Sequence, residues 1–151
     1  MSTSIPTTPY TITSTRTITE PINKVFRAWT EPTHLKNWWG PNGFTNTIHE
    51  FDLRPGGKWK LTMHGPDKGN YENEVEFITI EKPTLIYWKR HSQPLFNVLA
   101  TFEEISPNQT KIIFKMIFDA PKDYETIQKF APEKNEENFD RLEAELKRMP
   151  D

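Results

Sequence analysis

Four histidines, His34, His49, His64 and His91, raise the first chemical question, because three imidazoles suffice to hold a catalytic zinc ion. Their spacing answers it. No two stand at i, i+4 on a helical pattern and each falls at a polar or turn-adjacent position, so all four are expected at the surface and no metal is expected. Glu72, Glu74 and Glu76 alternate with Tyr71, Val75 and Phe77, which reads as a solvated strand face that discourages edge pairing. Across the expected hairpin they face Lys58, Lys60 and His64, giving cross-strand pairs worth roughly a few tenths of a kcal/mol each. Arg54, Gly56 and Gly57 offer a guanidinium and backbone amides to an anion, yet a glycine pair between strands is first of all a turn or bulge.

Proton transfer inside a fold needs a polar group in apolar surroundings. Tyr71, Asn73, Tyr87, Arg90 and His91 fall on or beside apolar faces, but they form no recognisable dyad, so no catalytic residue is assigned. The sequence contains no Gly-x-Ser-x-Gly, Gly-x-Gly-x-x-Gly or phosphate-loop pattern, which leaves nucleophilic hydrolases, dinucleotide enzymes and P-loop ATPases without support and no cofactor expected. Cysteine is absent, which removes disulfides and thiolate chemistry together. A net charge of −2 argues against a nucleic-acid binder, which needs a basic surplus.

The apolar inventory is aromatic: 10 Phe, 5 Trp and 4 Tyr stand against 8 Leu and 3 Val. Large rings fill a core short of aliphatics, and their faces equally suit a flat or greasy guest. Trp38 and Trp39, followed by Gly40 and Pro41, carry both meanings. One ring is expected to pack the short helices onto the sheet and the other to reach a pocket mouth, with the order left open.

These residues need elements to hold them. Leu, Ile, Val and Phe make up about 23% of the chain, enough for one folded domain over residues 1–151, with about the first nine residues flexible. Neither a secretory signal nor a run of roughly 18 apolar residues is visible, so a soluble, cytoplasmic protein without membrane partner is expected. A strand is predicted over Tyr10 to Ile18. Ile22, Val25, Phe26 and Trp29 then follow helical spacing behind Pro21, and a short helix covers Pro32 to Trp38. Six strand signals come next: Phe44 to Leu53, Lys58 to His64, Asn70 to Glu81, Thr84 to His91, Phe96 to Ile105 and Thr110 to Phe118. The chain closes with helical segments, Asp123 to Phe130 and then a longer one carrying Phe139, Leu142, Leu146 and Met149 on one stripe. These elements bury their faces together as an α+β fold if a curved antiparallel sheet wraps the last helix, leaving a cavity between them.

Trp38, Trp39, Gly40 and Pro41, the run from Phe51 to Trp59, and Gly65, Pro66 and Asp67 give the sequence a family likeness from about Ile18 to Leu146. It resembles the activator-of-heat-shock-protein-ATPase homologues, within the START-related, birch-pollen-allergen-like helix-grip superfamily. The resemblance implies the β-α-α-β6-α order of the helix-grip fold and a hydrophobic pocket between long helix and sheet. It brings no shared catalytic set. In the family's namesakes chaperone activation uses an additional domain, for which a chain of this length is expected to leave no room. The leading expectation is a small apolar or aromatic ligand, lined by Trp38, Trp39, Trp59, Met63, Tyr71, Phe77, Phe102, Phe114, Met116 and Phe139. Alternatives are a co-chaperone-like module docking on a chaperone ATPase, and a cyclase- or dehydratase-type enzyme with an ionisable group in the pocket. Oligomeric state stays open.

Overall fold

A computed structural model describes residues 8–150 of the chain. Among them the order is β1 (Thr11–Ile18), α1 (Ile22–Thr30), α2 (Pro32–Trp38), β2 (Thr45–Phe51), β3 (Lys58–His64), β4 (Asn70–Glu81), β5 (Leu85–Arg90), β6 (Asn97–Ser106), β7 (Gln109–Ile117), α3 (Pro121–Ile127) and α4 (Ala131–Arg148). Of the first nine residues expected to be flexible, 1–7 lie outside the described residues, while Thr8 donates its hydroxyl to Phe118 O at 2.5 Å.

The seven strands form one antiparallel sheet in the order β1-β7-β6-β5-β4-β3-β2. Consecutive hairpins build β2 to β7, and β1 closes the sheet by pairing with the last strand, from Thr11 opposite Ile117 to Ile18 opposite Thr110. Side chains alternate between faces, so the register decides what looks inward. Ile12, Met116, Val98, Trp88 and Phe77 lie in one row across the sheet, and Ser14, Phe114, Ala100 and Ile86 in the next. Register shifts between Ile48 and Glu50 and between Phe77 and Thr79 bend the β2–β5 side, where an extra residue increases local twist. The Arg54 to Gly57 turn packs onto this bend. Gly56 N donates to Phe77 O and Phe77 N to Gly57 O, and a Cβ on Gly57 would stand 2.0 Å from Asp52 O, so only glycine fits.

Helix α4 carries Pro132 in its first turn and lays Phe139, Leu142 and Leu146 into the core, with Met149 following at its end. Short α3 precedes it as a separate helix that stops three residues earlier than the spacing predicts, because Gln128 to Phe130 turn the chain. Helices α1 and α2 cover the other half of the concave face with Val25, Phe26, Trp29, Leu35 and Trp38. Trp29 is the hub, in edge-to-face or tilted contact with Trp38, Trp39, Trp88, Phe102 and Phe114. No helix among the described residues is long and apolar enough to cross a membrane.

Candidate functional site

Where α4 begins, it stands off the sheet rather than filling it, and a chamber of about 170 Å³ opens there. The floor is Trp59, Leu61, Val75, Trp88, Val98 and Phe114, one side is the Trp39–Gly40–Pro41 loop, and the roof is Asn135 and Asn138 of α4. An apolar cavity of about 150 Å³ takes up benzene, so this volume matches one ring. Met63, Asn73, Arg90, Phe96 and Met116 belong both to the chamber and to a wider open cleft of about 880 Å³, rimmed by Phe44, Tyr71, Ile127 and Phe130. The chamber therefore has a mainly apolar mouth that carries Asn73 and Arg90.

The ten residues expected to line a pocket divide by position. Trp39, Trp59, Met63, Phe114 and Met116 form chamber wall, and Tyr71 stands in the outer cleft, 45% exposed, with its hydroxyl on Asp67 at 2.7 Å. Trp38, Phe77, Phe102 and Phe139 lie deeper, each at most 2% exposed, and the chamber does not reach them. Trp38 is the packing member of the tryptophan pair: its Nε1 donates to Ala28 O at 3.0 Å, fastening α2 to α1. Phe102 meets Phe26 and Trp29 edge to face, and Phe139 sits against Phe114 under the Arg16 guanidinium. Strand and helix periodicity says which side chains face inward but not how deep they lie, which depends on how far each helix stands from the sheet.

The polar groups on the wall were only partly legible. Asn73 and Arg90 share the concave face, one beside and one opposite Val75, whereas Tyr87 and His91 alternate to the convex side. Arg90 Nε and Nη2 donate to Pro94 O at 3.0 Å and Gln93 O at 3.2 Å, and its guanidinium lies 5.0 Å from the Phe96 ring centre. Burial pushes its pKa down to about 10, so it stays charged at neutral pH. Asn135 and Asn138 were missed. Stepping back from Leu142 by helical spacing lands on both, so the signal was present but their polarity masked it. Asn135 Nδ2 donates to Ser14 Oγ at 3.1 Å; buried Asn138 Oδ1 and Trp59 Nε1 have no hydrogen-bond partner among the described residues.

Arg141, also missed, fixes the chamber's side loop. Its Nη1 and Nη2 donate to the carbonyls of Asn37, Trp39, Gly40, Pro41 and Phe44 at 2.7–3.2 Å, and burial lowers its pKa. The loop needs such a clamp because Gly40 turns it at φ +96°, and a Cβ there would stand 2.9 Å from Met63 Cε.

The remaining sequence candidates serve the outer surface. Glu74 and Glu76 both meet Lys58 at 3.6 Å, but Lys60 turns to Glu50 at 3.8 Å on β2 instead of the glutamate ladder. His49 Nε2 bonds Thr62 Oγ1, which donates to Glu72; His64 bridges Thr47 and Asn70; His91 holds Glu76 at 2.9 Å. His34 sits between helices, its Nδ1 2.9 Å from buried Glu145. The amides of Gly56 and Gly57 bond to Phe77 O and Arg54 O, and Arg54 is held by Asp52 at 2.8 Å, so that turn is structural.

Solved structures share this architecture. A protein from Nitrosomonas europaea superposes with a TM-score of 0.85 at 20% identity, over 95% of this chain and 99% of its own. One from Arthrobacter aurescens gives 0.84 at 20% identity, over 94% and 88%, and an AHSA1 protein from Silicibacter pomeroyi 0.72 at 16%, over 91% and 97%. At such identities they show the helix-grip fold alone. No curated protein matches the chain. The profile of the activator of Hsp90 ATPase homolog 1-like proteins, however, matches residues 19–147, and the chain belongs to that family.

Proposed function

We propose that the protein binds a small hydrophobic, ring-sized molecule in the chamber between α4 and the sheet. The carrying observation is the wall itself: three tryptophans, two phenylalanines, two methionines and aliphatic side chains surround a space of about 170 Å³ that continues into a mainly apolar mouth. Affinity comes from apolar area removed from water, at about 25 cal/mol per Å² before the costs of association. The asparagines and Arg90 supply the few polar contacts that orient a guest. Binding suits this wall better than proton transfer. Among the described residues lining the chamber, Arg90 is the ionisable one, and a guanidinium does not exchange its proton near neutral pH.

Isothermal calorimetry with toluene and indole tests the reading. Saturable binding with a negative heat-capacity change is expected, weakened at least tenfold in Val98→Phe, whose ring would occupy the space. Absence of binding by either compound to a folded wild-type protein overturns it.

A further inference from the structure

Six arginines differ sharply in what neutralises them. Arg16 meets Glu136, Asp140 and Glu143; Arg27, Arg54 and Arg148 each hold one carboxylate; Arg141 is surrounded by backbone carbonyls. Arg90 has no acidic partner among the described residues. Two carbonyls fix its plane through Nε and Nη2, while Nη1 has no hydrogen-bond partner there. A half-buried guanidinium without a counter-charge, lying over the Phe96 ring in a largely apolar wall, is the costliest group there. The fold keeps it at the junction between chamber and outer cleft.

We infer that the ligand is a small organic acid, a single ring-sized apolar body carrying one carboxylate, with the body in the chamber and the carboxylate on Arg90. This rests on the chamber being a binding site and adds the chemistry of the guest. The chamber volume limits the body to about one ring. The rim limits the head to one charge. Among the described residues the charged group bordering the cleft apart from Arg90 is Glu72, whose carboxylate accepts the Thr62 hydroxyl at 2.7–2.8 Å on the convex face, and none of them brings a second cation to meet a dianion. A planar guanidinium whose Nε and Nη2 are already engaged presents Nη1 to a carboxylate oxygen, a charge-assisted contact stronger than one to a neutral amide.

Calorimetry with three probes of one size tests the inference: phenylacetate, phenylacetamide and phenyl phosphate. Phenylacetate is expected to bind about tenfold or more tightly than phenylacetamide, and more tightly than phenyl phosphate at a pH where the latter is a dianion. In Arg90→Gln the acid's advantage over the amide disappears while the amide still binds, and Arg90→Lys recovers part of it; circular dichroism checks that both variants are folded. Should Arg90→Gln fail to fold, the wild-type comparison decides alone. Equal binding of acid and amide overturns the carboxylate assignment and leaves the apolar chamber standing. Tighter binding of the phosphate overturns the single-charge assignment. If none of the three binds while toluene or indole does, the acid assignment falls and the apolar chamber stands; if toluene and indole fail as well, both readings fall.

Discussion

Arg141 and Glu145, one helical turn apart on α4, show how single side chains hold the site in shape without touching it. Removing the guanidinium in Arg141→Ala takes its bonds from five carbonyls of the 37–44 segment, of which Trp39 O keeps the Asn46 amide and Pro41 O the Phe44 N–H, so a loss of about 2–3 kcal/mol in urea denaturation is expected, with faster proteolysis at Pro41 to Phe44. Lysine, with three donors from one point, restores only part of it. Burial alone would raise the Glu145 carboxyl, but bonds from His34, Arg148 and Asn37 outweigh it and hold the group below the ordinary 4.5. A depressed carboxyl stabilises the fold fully above its unfolded value and loses that contribution as pH falls through the lower folded one. Stability is therefore expected to drop below pH 4.5, and Glu145→Gln, less stable at neutral pH, should show a flatter acid limb in melting curves taken from pH 6 to 3. A wild-type limb as flat as the variant's would dismiss this cluster as a source of acid sensitivity.

At the scale of elements, α4 is both roof and keel. Leu142 is fully buried in its central stripe, so Leu142→Ala should cost about 3–5 kcal/mol by chemical denaturation, the range for emptying a well-packed aliphatic site. On β1, Arg16 reaches Glu136, Asp140 and Glu143 along the exposed side of the same helix; Arg16→Met is expected to shift α4 and to weaken ligand binding more than stability. Calorimetry and melting on the same sample separate the two. Most of these elements were legible because burial imposes a period: Trp59, Leu61 and Met63 mark a strand, Ile22, Val25, Phe26 and Trp29 a helix. The site was less legible. Phe102 and Phe114 have the same pattern on neighbouring strands, but α1 covers one while α4 leaves the other on the chamber wall. Asn135 and Asn138 break the apolar stripe where the helix lifts away, so the departure from pattern marked the cavity more directly than the pattern did.

For the whole molecule, sheet closure is the most distant act of folding. The β1–β7 ladder joins residues about a hundred apart in sequence, Thr11 to Ile117 at one end, and no hairpin nucleates it. Loop-closure entropy precedes the contacts that reward it, so folding in the millisecond-to-second range is expected in stopped-flow experiments, with mutations in β1 acting mainly on unfolding. Microsecond folding would show that closure is not the slow step.

All five indoles of the chain form one contiguous network, from Trp38 through Trp29 and Trp39 to Trp59 and Trp88, and the last two share the chamber wall with Trp39. The protein thus carries an intrinsic optical reporter at the place where a guest would rest. Light absorbed by any one ring is passed among neighbours a few ångströms away, so emission should change as a single collective signal when that space is filled, with no dye attached.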